Sequence, residues 1–122
     1  MSHTTSRRSL SRGAGIGGRT MDIVYDGQTL WLRGDFDVRS TMDVRSAIHE
    51  HVEGFERDLT VDLTGVDTID ITAARVLAYA TIESGRAGRH LRVRGCGPAV
   101  RRILQVSRLA RFLEVERAAA TA

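Results

Sequence analysis

The chain has 122 residues, of which 42% are hydrophobic and 27% charged, an ordinary composition for one globular domain. No apolar run is long enough for a membrane-spanning helix, so we expect no membrane partner. The single cysteine, Cys96, excludes an intramolecular disulfide and a multi-cysteine metal site, and it favours a cytoplasmic location. We expect Cys96 to be a small buried side chain at the end of a strand rather than a reactive thiol.

The charge is unevenly distributed along the chain. All 18 basic residues are arginines and the net charge is +3, but residues 1–20 carry +4, residues 21–84 carry −8 and residues 85–122 carry +7. Such an asymmetry can steer a charged protein partner towards the domain. If the fold interleaves the two halves, the charges can instead cancel in local pairs.

Residues 1–20 are predicted to be a disordered basic tail, because Ser, Thr, Gly and Arg dominate and too little apolar surface is available to offset the ordering entropy. The Arg7-Arg8 pair lacks the apolar region of an export signal, and the glycine-rich stretch that follows lacks the preceding strand of a phosphate loop. Residues 118–122 are predicted to be a short C-terminal tail. The folded domain is therefore predicted to span residues 21–117.

The first predicted elements are a β-hairpin and a helix. Residues 21–25 and 29–33 flank Asp26-Gly27, a strong turn signal between two strands. Ser40 opens a helix whose apolar stripe recurs at helical spacing and consists of Val44, Ala47, Ile48, His51 and Phe55. His49 and His51 are two residues apart and point to different sides of this helix, so we expect no metal site there.

Strands and helices then alternate. Strands are predicted at residues 59–63, 91–94 and 112–116, a helix at residues 71–84, and another helix opening at Pro98, where a missing N–H group costs nothing. The order β-β-α-β-α-β-α-β predicts a single α/β domain. Its sheet is mixed, and its helices pack mainly on one side because the crossovers are right-handed.

The most informative stretch is residues 61–74, which run from a strand through a loop into a helix. Asp70 suits the N-cap, because its carboxylate can accept the unpaired N–H groups of the first turn and complement the helix dipole. A hydroxyl in the next two positions would be exposed at the helix start. A phosphate added there would be tolerated by the fold, yet it would disrupt a partner surface formed by that helix.

Five segments in this order and spacing resemble the STAS family of bacterial anti-sigma-factor antagonists, over about residues 22–116. They are Gly-Asp-Phe-Asp at 34–37, Val-Asp-Leu-Thr-Gly-Val at 61–66, Asp-Ile-Thr-Ala at 70–73, Gly-Arg-His-Leu-Arg-Val at 88–93, and residues 98–104 with Leu109. The resemblance implies binding to an anti-sigma factor, often a serine kinase of the histidine-kinase-like ATPase class, and hence release of a sigma factor.

One departure from the family pattern affects regulation. The residue that the family usually phosphorylates is the first hydroxyl after the aspartate, and here that position is Ile71. Thr72 follows and is the candidate phosphorylation site. Either Thr72 replaces the usual serine, or the module binds its partner without a phosphorylation switch, which is the alternative we favour.

The second predicted helix has a candidate partner surface. Thr72, Arg75 and Tyr79 recur at helical spacing and Arg86 follows beyond the expected helix end, while Ala74, Leu77, Ala78 and Thr81 are expected to face the sheet. An ordinary solvated amphipathic helix explains this pattern nearly as well. The candidate partner-binding residues are Asp35, Asp37, Asp70, Ile71, Thr72, Arg75 and Tyr79.

Other functions are considered beside the anti-sigma-factor antagonist. The domain could be a non-catalytic docking subunit of another assembly, such as a stress-signalling or lipid-transport complex. No Ser/His/Asp set, paired catalytic carboxylates or metal-ligand spacing stands out, so we expect no enzyme activity and no cofactor. The arginines invite a nucleic-acid interpretation, but their clustering in the tail and the second half makes a nucleic-acid partner unexpected.

Overall fold

The computed structural model describes residues 8–9, 21–54 and 58–116, with the side chains of residues 8–9 and 51–54 outside the description. The strands are β1 (Arg8–Ser9), β2 (Asp22–Asp26), β3 (Thr29–Phe36), β4 (Leu59–Ile69), β5 (Leu91–Arg94) and β6 (Glu114–Val115). The helices are α1 (Thr41–Gly54), α2 (Ile71–Arg86), α3 (Pro98–Val106) and a 3-10 helix, η1 (Leu109–Phe112). The predicted α/β class is confirmed, and the predicted order of strands and helices is found in residues 21–116, whereas β1 and η1 were not predicted.

The described strands form one mixed sheet in the order β1-β2-β3-β4-β5-β6. Strands β2 and β3 form the predicted antiparallel hairpin, and Gly27 supplies the positive φ of 66° that its tight turn requires. The pairs β3–β4, β4–β5 and β5–β6 are all parallel. Since each parallel neighbour follows in sequence, right-handed crossovers place α1 and α2 on the same face of the sheet, where they contact each other.

Strand β1 adds two residues to the sheet edge, pairing Arg8 with Tyr25 and Ser9 with Val24. The rest of the predicted tail, residues 1–7 and 10–20, lies outside the described residues, as do residues 118–122. The disordered tails and the domain boundaries therefore stay predictions.

The core lies between the helices and one face of the sheet. Leu30 and Leu32 of β3 are fully buried, whereas Trp31 between them is exposed, so this strand separates a face covered by the helices from one that the described residues leave uncovered. The helices contribute the apolar residues that the sequence predicted to point inward: Val44, Ala47, Ile48, Ala74, Leu77 and Ala78. His51 and Phe55, the other members of the α1 stripe, lie outside the described side chains.

Several predicted boundaries were wrong. Strand β3 does not end at residue 33 but continues to Phe36, and α2 does not end at residue 84 but continues to Arg86. Strand β4 does not end at residue 63 but continues to Ile69, because its second half keeps pairing with β3 through register shifts that match Gly34 to Val66 and Phe36 to Ile69. The last strand is shorter than predicted, since residues 109–112 form η1 and only Glu114–Val115 pair with β5. Helix α3 begins at Pro98 as predicted.

Candidate functional site

The ends of β3 and β4 bring two loops of the candidate site together. Phe36 and Ile69 are register partners, and the Asp70 N–H donates to the Phe36 carbonyl at 3.2 Å. The loop before α1 and the start of α2 therefore share the carboxyl edge of the sheet. Residues that are 33 positions apart in sequence, such as Asp35 and Thr68, are joined here by a hydrogen bond from the Thr68 hydroxyl to Asp35 Oδ1 at 2.9 Å.

Asp70 is the N-cap of α2, as the sequence predicted. Its Oδ1 accepts the Ala73 N–H at 2.8 Å, while its own backbone stays extended. Its Oδ2 accepts the Val38 N–H of the other loop at 3.1 Å. Both carboxylate oxygens are thus used within the fold, and Asp70 orients the helix start and fastens the loop before α1 to it.

Asp35 and Asp37 are also engaged within the domain. Asp37 forms an ion pair of 2.7 Å with Arg39, and the hydrogen bond from the Arg39 side chain lowers the pKa of Asp37 below its usual value despite the opposing effect of partial burial. Asp35 accepts from Thr68, as described above. These acids shape the carboxyl edge, and their role in partner binding stays a prediction.

We call Val38, Met42, Ile71 and Thr72 the helix-start surface. All four are exposed, and they lie in the loop before α1, in the first turn of α1 and in the first turn of α2. Ile71 occupies the first helical position with 44% of its surface exposed. Because Val38, Met42 and Ile71 are exposed at this end of the sheet, the helix-start surface is apolar, although aspartates lie around it.

We call the groove along the outer side of α2 the α2 groove. It is partly open to solvent, has a volume of about 1000 Å³ and reaches α1 on one side and η1 on the other. The predicted stripe of Thr72, Arg75, Tyr79 and Arg86 is exposed and lines it, and α2 extends to Arg86, so that this residue belongs to the helix. Its lining also includes Arg45, Ile82 and Phe112.

Sequence reasoning missed the members of these surfaces that come from other segments. The sequence pattern predicts a strand at Phe112, but η1 turns this residue towards α2, where 40% of its surface is exposed. Arg45 carries no motif and reaches the groove only because α1 packs beside α2. Exposure of Val38 and Met42 also had no sequence signal, since apolar residues near a helix start usually belong to the core.

On the uncovered face of the sheet, the buried Asp62 and the half-buried Arg94 form an ion pair of 2.7 Å. Burial acts to raise the pKa of Asp62, but hydrogen bonds from Arg94 and Thr64 outweigh it and hold this pKa below its usual value. Cys96 is half-buried nearby, and burial raises the pKa of its thiol. A raised pKa disfavours the thiolate, as expected of a structural rather than a reactive cysteine.

Residues 8–9, 21–54 and 58–116 hold neither a metal-ligand cluster nor a membrane-spanning helix. No group of three or more His, Cys, Asp or Glu residues in these ranges is placed to hold a metal ion. In the same part of the chain no helix combines the length and apolarity needed to cross a bilayer.

Solved structures share this fold at low sequence identity. An anti-sigma factor antagonist from Mycobacterium paratuberculosis superposes with a TM-score of 0.66 at 19% identity, covering 93% of this chain and 88% of that one. The phosphorylated form of the Bacillus cell fate determinant SpoIIAA gives a TM-score of 0.54 at 14% identity, covering 90% and 92%. A sulfate transporter family protein from Wolinella succinogenes gives 0.58 at 16%, covering 72% and 74%.

The sequence was compared with curated proteins and with family profiles, and only a family profile matches it. No curated protein matches the chain. The family profile described as "Mlab, STAS domain" matches residues 20–115, which is nearly the whole of the described domain. The chain therefore belongs to the STAS domain family.

Proposed function

We propose that this domain is a non-catalytic, cytoplasmic interaction module that binds an anti-sigma factor or a serine kinase of the histidine-kinase-like ATPase class and so releases a sigma factor. The observation that carries the proposal is the helix-start surface, where Ile71 is exposed directly after the capping Asp70 and next to the loop of Val38. Exposed apolar side chains grouped around a rigid helix start are typical of a contact surface. The fold shared with an anti-sigma factor antagonist supports this class of partner.

The same position supports binding without a phosphorylation switch. Ile71 has no hydroxyl, so the first helical position cannot be phosphorylated. Thr72 is exposed one position later and stays a candidate phosphorylation site. A phosphate on Thr72 would add negative charge at the start of α2, which the helix dipole tolerates but an apolar partner surface does not.

Capture of the partner tests the proposal. Immobilised domain is exposed to extract of the source cells, and bound proteins are identified by mass spectrometry for wild type, Ile71→Glu and Val106→Glu. A glutamate in the first turn favours the helix, so Ile71→Glu alters the surface without unfolding α2. Val106 is another exposed apolar residue, at the end of α3, and serves as the control for a negative charge added to a different surface.

We expect wild type and Val106→Glu to capture an anti-sigma factor or kinase. The amount captured by Ile71→Glu should be at least about tenfold lower. Equal capture by all three would place the interface elsewhere. Capture of no such regulator would contradict the proposed partner class.

A second arm concerns the switch. The captured complex is incubated with Mg-ATP and the domain is analysed by mass spectrometry, comparing wild type with Ile71→Ser and Thr72→Ala. We expect wild type to stay unmodified and Ile71→Ser to gain a phosphate if the partner is a kinase. A phosphate on wild type that Thr72→Ala removes would show that Thr72 is the switch.

A docking role in another assembly is the second candidate. The shared fold with a sulfate transporter family protein and the isoleucine at the usual hydroxyl position both favour a constitutive docking subunit. The capture experiment separates the two, because recovery of a transporter subunit through the helix-start surface would support docking and not sigma-factor control.

A further inference from the structure

Three arginines that have no partner among the described residues line the α2 groove. In the described part of the chain, Arg45, Arg75 and Arg86 form no ion pair or hydrogen bond through their guanidinium groups, and Glu83 alone among the groove residues is acidic. Three like charges around one groove repel each other weakly in water, and the repulsion grows when the groove is covered. The groove is therefore electrostatically suited to an anionic occupant.

The floor and walls of the α2 groove are apolar. Tyr79, Ile82 and Phe112 are 51%, 37% and 40% exposed, and Ile48 lies buried at the base. Large exposed apolar side chains edged by charged ones are typical of an interaction surface. The occupant should accordingly bring an apolar face as well as negative charge.

The spacing of the cations along α2 favours an extended occupant over a compact one. Arg75 and Arg86 are eleven residues apart on one helix, which corresponds to about 16 Å along its axis. A single phosphate or headgroup would bond to both only if the two flexible side chains bent towards one point, which costs side-chain entropy. Carboxylates on successive turns of one helix can reach both arginines.

We propose that the α2 groove receives an acidic amphipathic helix of the partner protein. The inference rests on the proposed function in one respect, namely that the occupant belongs to that partner. The apolar stripe of the bound helix covers Tyr79, Ile82 and Phe112, and its acidic flank faces Arg75 and Arg86. A dimer in which the grooves of two copies face each other is disfavoured because both grooves carry the same positive charge.

A synthetic peptide tests the groove independently of the partner's identity. The probe is a fluorescein-labelled peptide of about 16 residues with leucines at helical i, i+3, i+4 and i+7 spacing and glutamates elsewhere, a length matched to α2. Its control has the same composition in scrambled order. Binding is measured by fluorescence anisotropy for wild type, Arg86→Glu, Tyr79→Ala and Arg102→Glu, each checked by circular dichroism.

We expect the patterned peptide to bind wild type and the scrambled one to bind at least about tenfold more weakly. Arg86→Glu should weaken binding about tenfold and Tyr79→Ala several-fold, whereas Arg102→Glu, an equal charge change on exposed α3, should alter it less than about twofold. Equal binding of both peptides, or an equal loss with Arg102→Glu, would overturn the inference.

Other occupants are tested alongside. Co-sedimentation of wild type with phosphatidylglycerol vesicles that Arg86→Glu abolishes, without peptide binding, would assign the groove to a lipid surface and overturn the proposal. Self-association in sedimentation velocity that Tyr79→Ala abolishes, without peptide binding, would assign it to a second copy with the same result.

Partner capture with Arg86→Glu separates this inference from the proposed function. Capture of the regulator by wild type and equally by Arg86→Glu would leave the function standing and reject the groove as a contact. Loss of capture with Arg86→Glu but not with Arg102→Glu would support the groove. Specific peptide binding without capture of any regulator would reject the partner class and leave a groove that selects acidic helices.

Discussion

The uncovered face of the sheet and the outer side of α2 both carry arginines, but only on the sheet are two of them, Arg92 and Arg94, paired with acids among the described residues. On the sheet, Arg94 bonds to Asp62 at 2.7 Å and lies 5.2 Å from the centre of the Trp31 ring. Arg92 lies between Asp58 and Glu114 at 3.9 and 4.0 Å. Along the α2 groove, Arg75 and Arg86 have no such partners among the described residues.

The difference follows from how each surface is assembled. Parallel pairing sets β4 beside β5, so residues of the acidic half of the sequence, such as Asp62, face residues of the basic half, such as Arg94. Helix α2 is exposed on its outer side, and no strand register supplies it with acids. The charge asymmetry of the sequence therefore cancels in part on the sheet and survives on α2, where a partner can use it.

The largest expected effect on stability tests how tightly the uncovered face of the sheet is packed. Gly95 follows β5 with a positive φ of 77°, and a Cβ there would meet the Thr64 hydroxyl and lie 2.8 Å from the Thr64 nitrogen. We expect Gly95→Ala to lower the free energy of unfolding by about 3 kcal/mol, from backbone strain and this clash. Urea denaturation measures it.

Gly88 provides the matched control, since its φ is +79° but a Cβ at this position would have nothing within 4 Å. Gly88→Ala should cost about 1 kcal/mol, from backbone strain alone. Equal costs at the two glycines would mean that the Thr64 contact carries no energy and that the uncovered face is loosely packed.

The next effect concerns the paired charges themselves. Asp62→Asn leaves the Arg94 guanidinium without its carboxylate, and we expect a loss of about 2 kcal/mol in unfolding free energy at neutral pH. Asp26→Asn, on the same face but at its edge, should cost less than about 0.5 kcal/mol. A similar cost for both would show that the Asp62–Arg94 pair adds nothing to stability.

The Asp62–Arg94 pair also makes the stability of the domain depend on pH. The pKa of Asp62 is lowered in the folded state, so its contribution is complete above the unfolded pKa of about 3.9 and is lost as pH falls through the folded value. We expect the stability difference between wild type and Asp62→Asn to be constant from pH 7 to about 5 and to shrink below about pH 4. A difference that grows on acidification would contradict the lowered pKa.

A smaller effect is expected at the helix start. Asp70→Ala removes the cap of α2 and the bond to the Val38 N–H, and should cost about 1.5 kcal/mol in thermal or urea unfolding. Asp67→Ala, three residues earlier and exposed, is the control and should be neutral within about 0.5 kcal/mol. If Asp67→Ala costs as much, the capping role assigned to Asp70 is wrong.

The smallest effect on stability is expected for the arginines of the α2 groove. Arg75→Ala and Arg86→Ala remove exposed cations that are unpaired among the described residues, so we expect changes below about 0.5 kcal/mol in unfolding free energy. A loss above about 1 kcal/mol for either would show that the arginine stabilises the domain, and would remove the contrast with the sheet.

Much of the candidate site followed from local sequence patterns. The Asp70 cap, the start of α3 at Pro98 and the inward stripe of Ala74, Leu77 and Ala78 depend on side-chain chemistry and helical spacing within a few residues. The end of β4 did not, because residues 64–69 stay in the strand only through pairing with β3. Phe112 likewise reaches α2 through η1, which no short-range signal announced.

By itself, therefore, the sequence determined the order of the main strands and helices, the start of α2 and the absence of a hydroxyl at Ile71, since these depend on neighbours along the chain. The tertiary structure decided which charges are paired and which apolar residues stay exposed. Strand register joined Asp62 to Arg94, and the packing of α1 and η1 beside α2 enclosed a groove between Arg45 and Phe112. Such contacts join residues far apart in the chain, so their energies depend on distances that only the folded backbone sets.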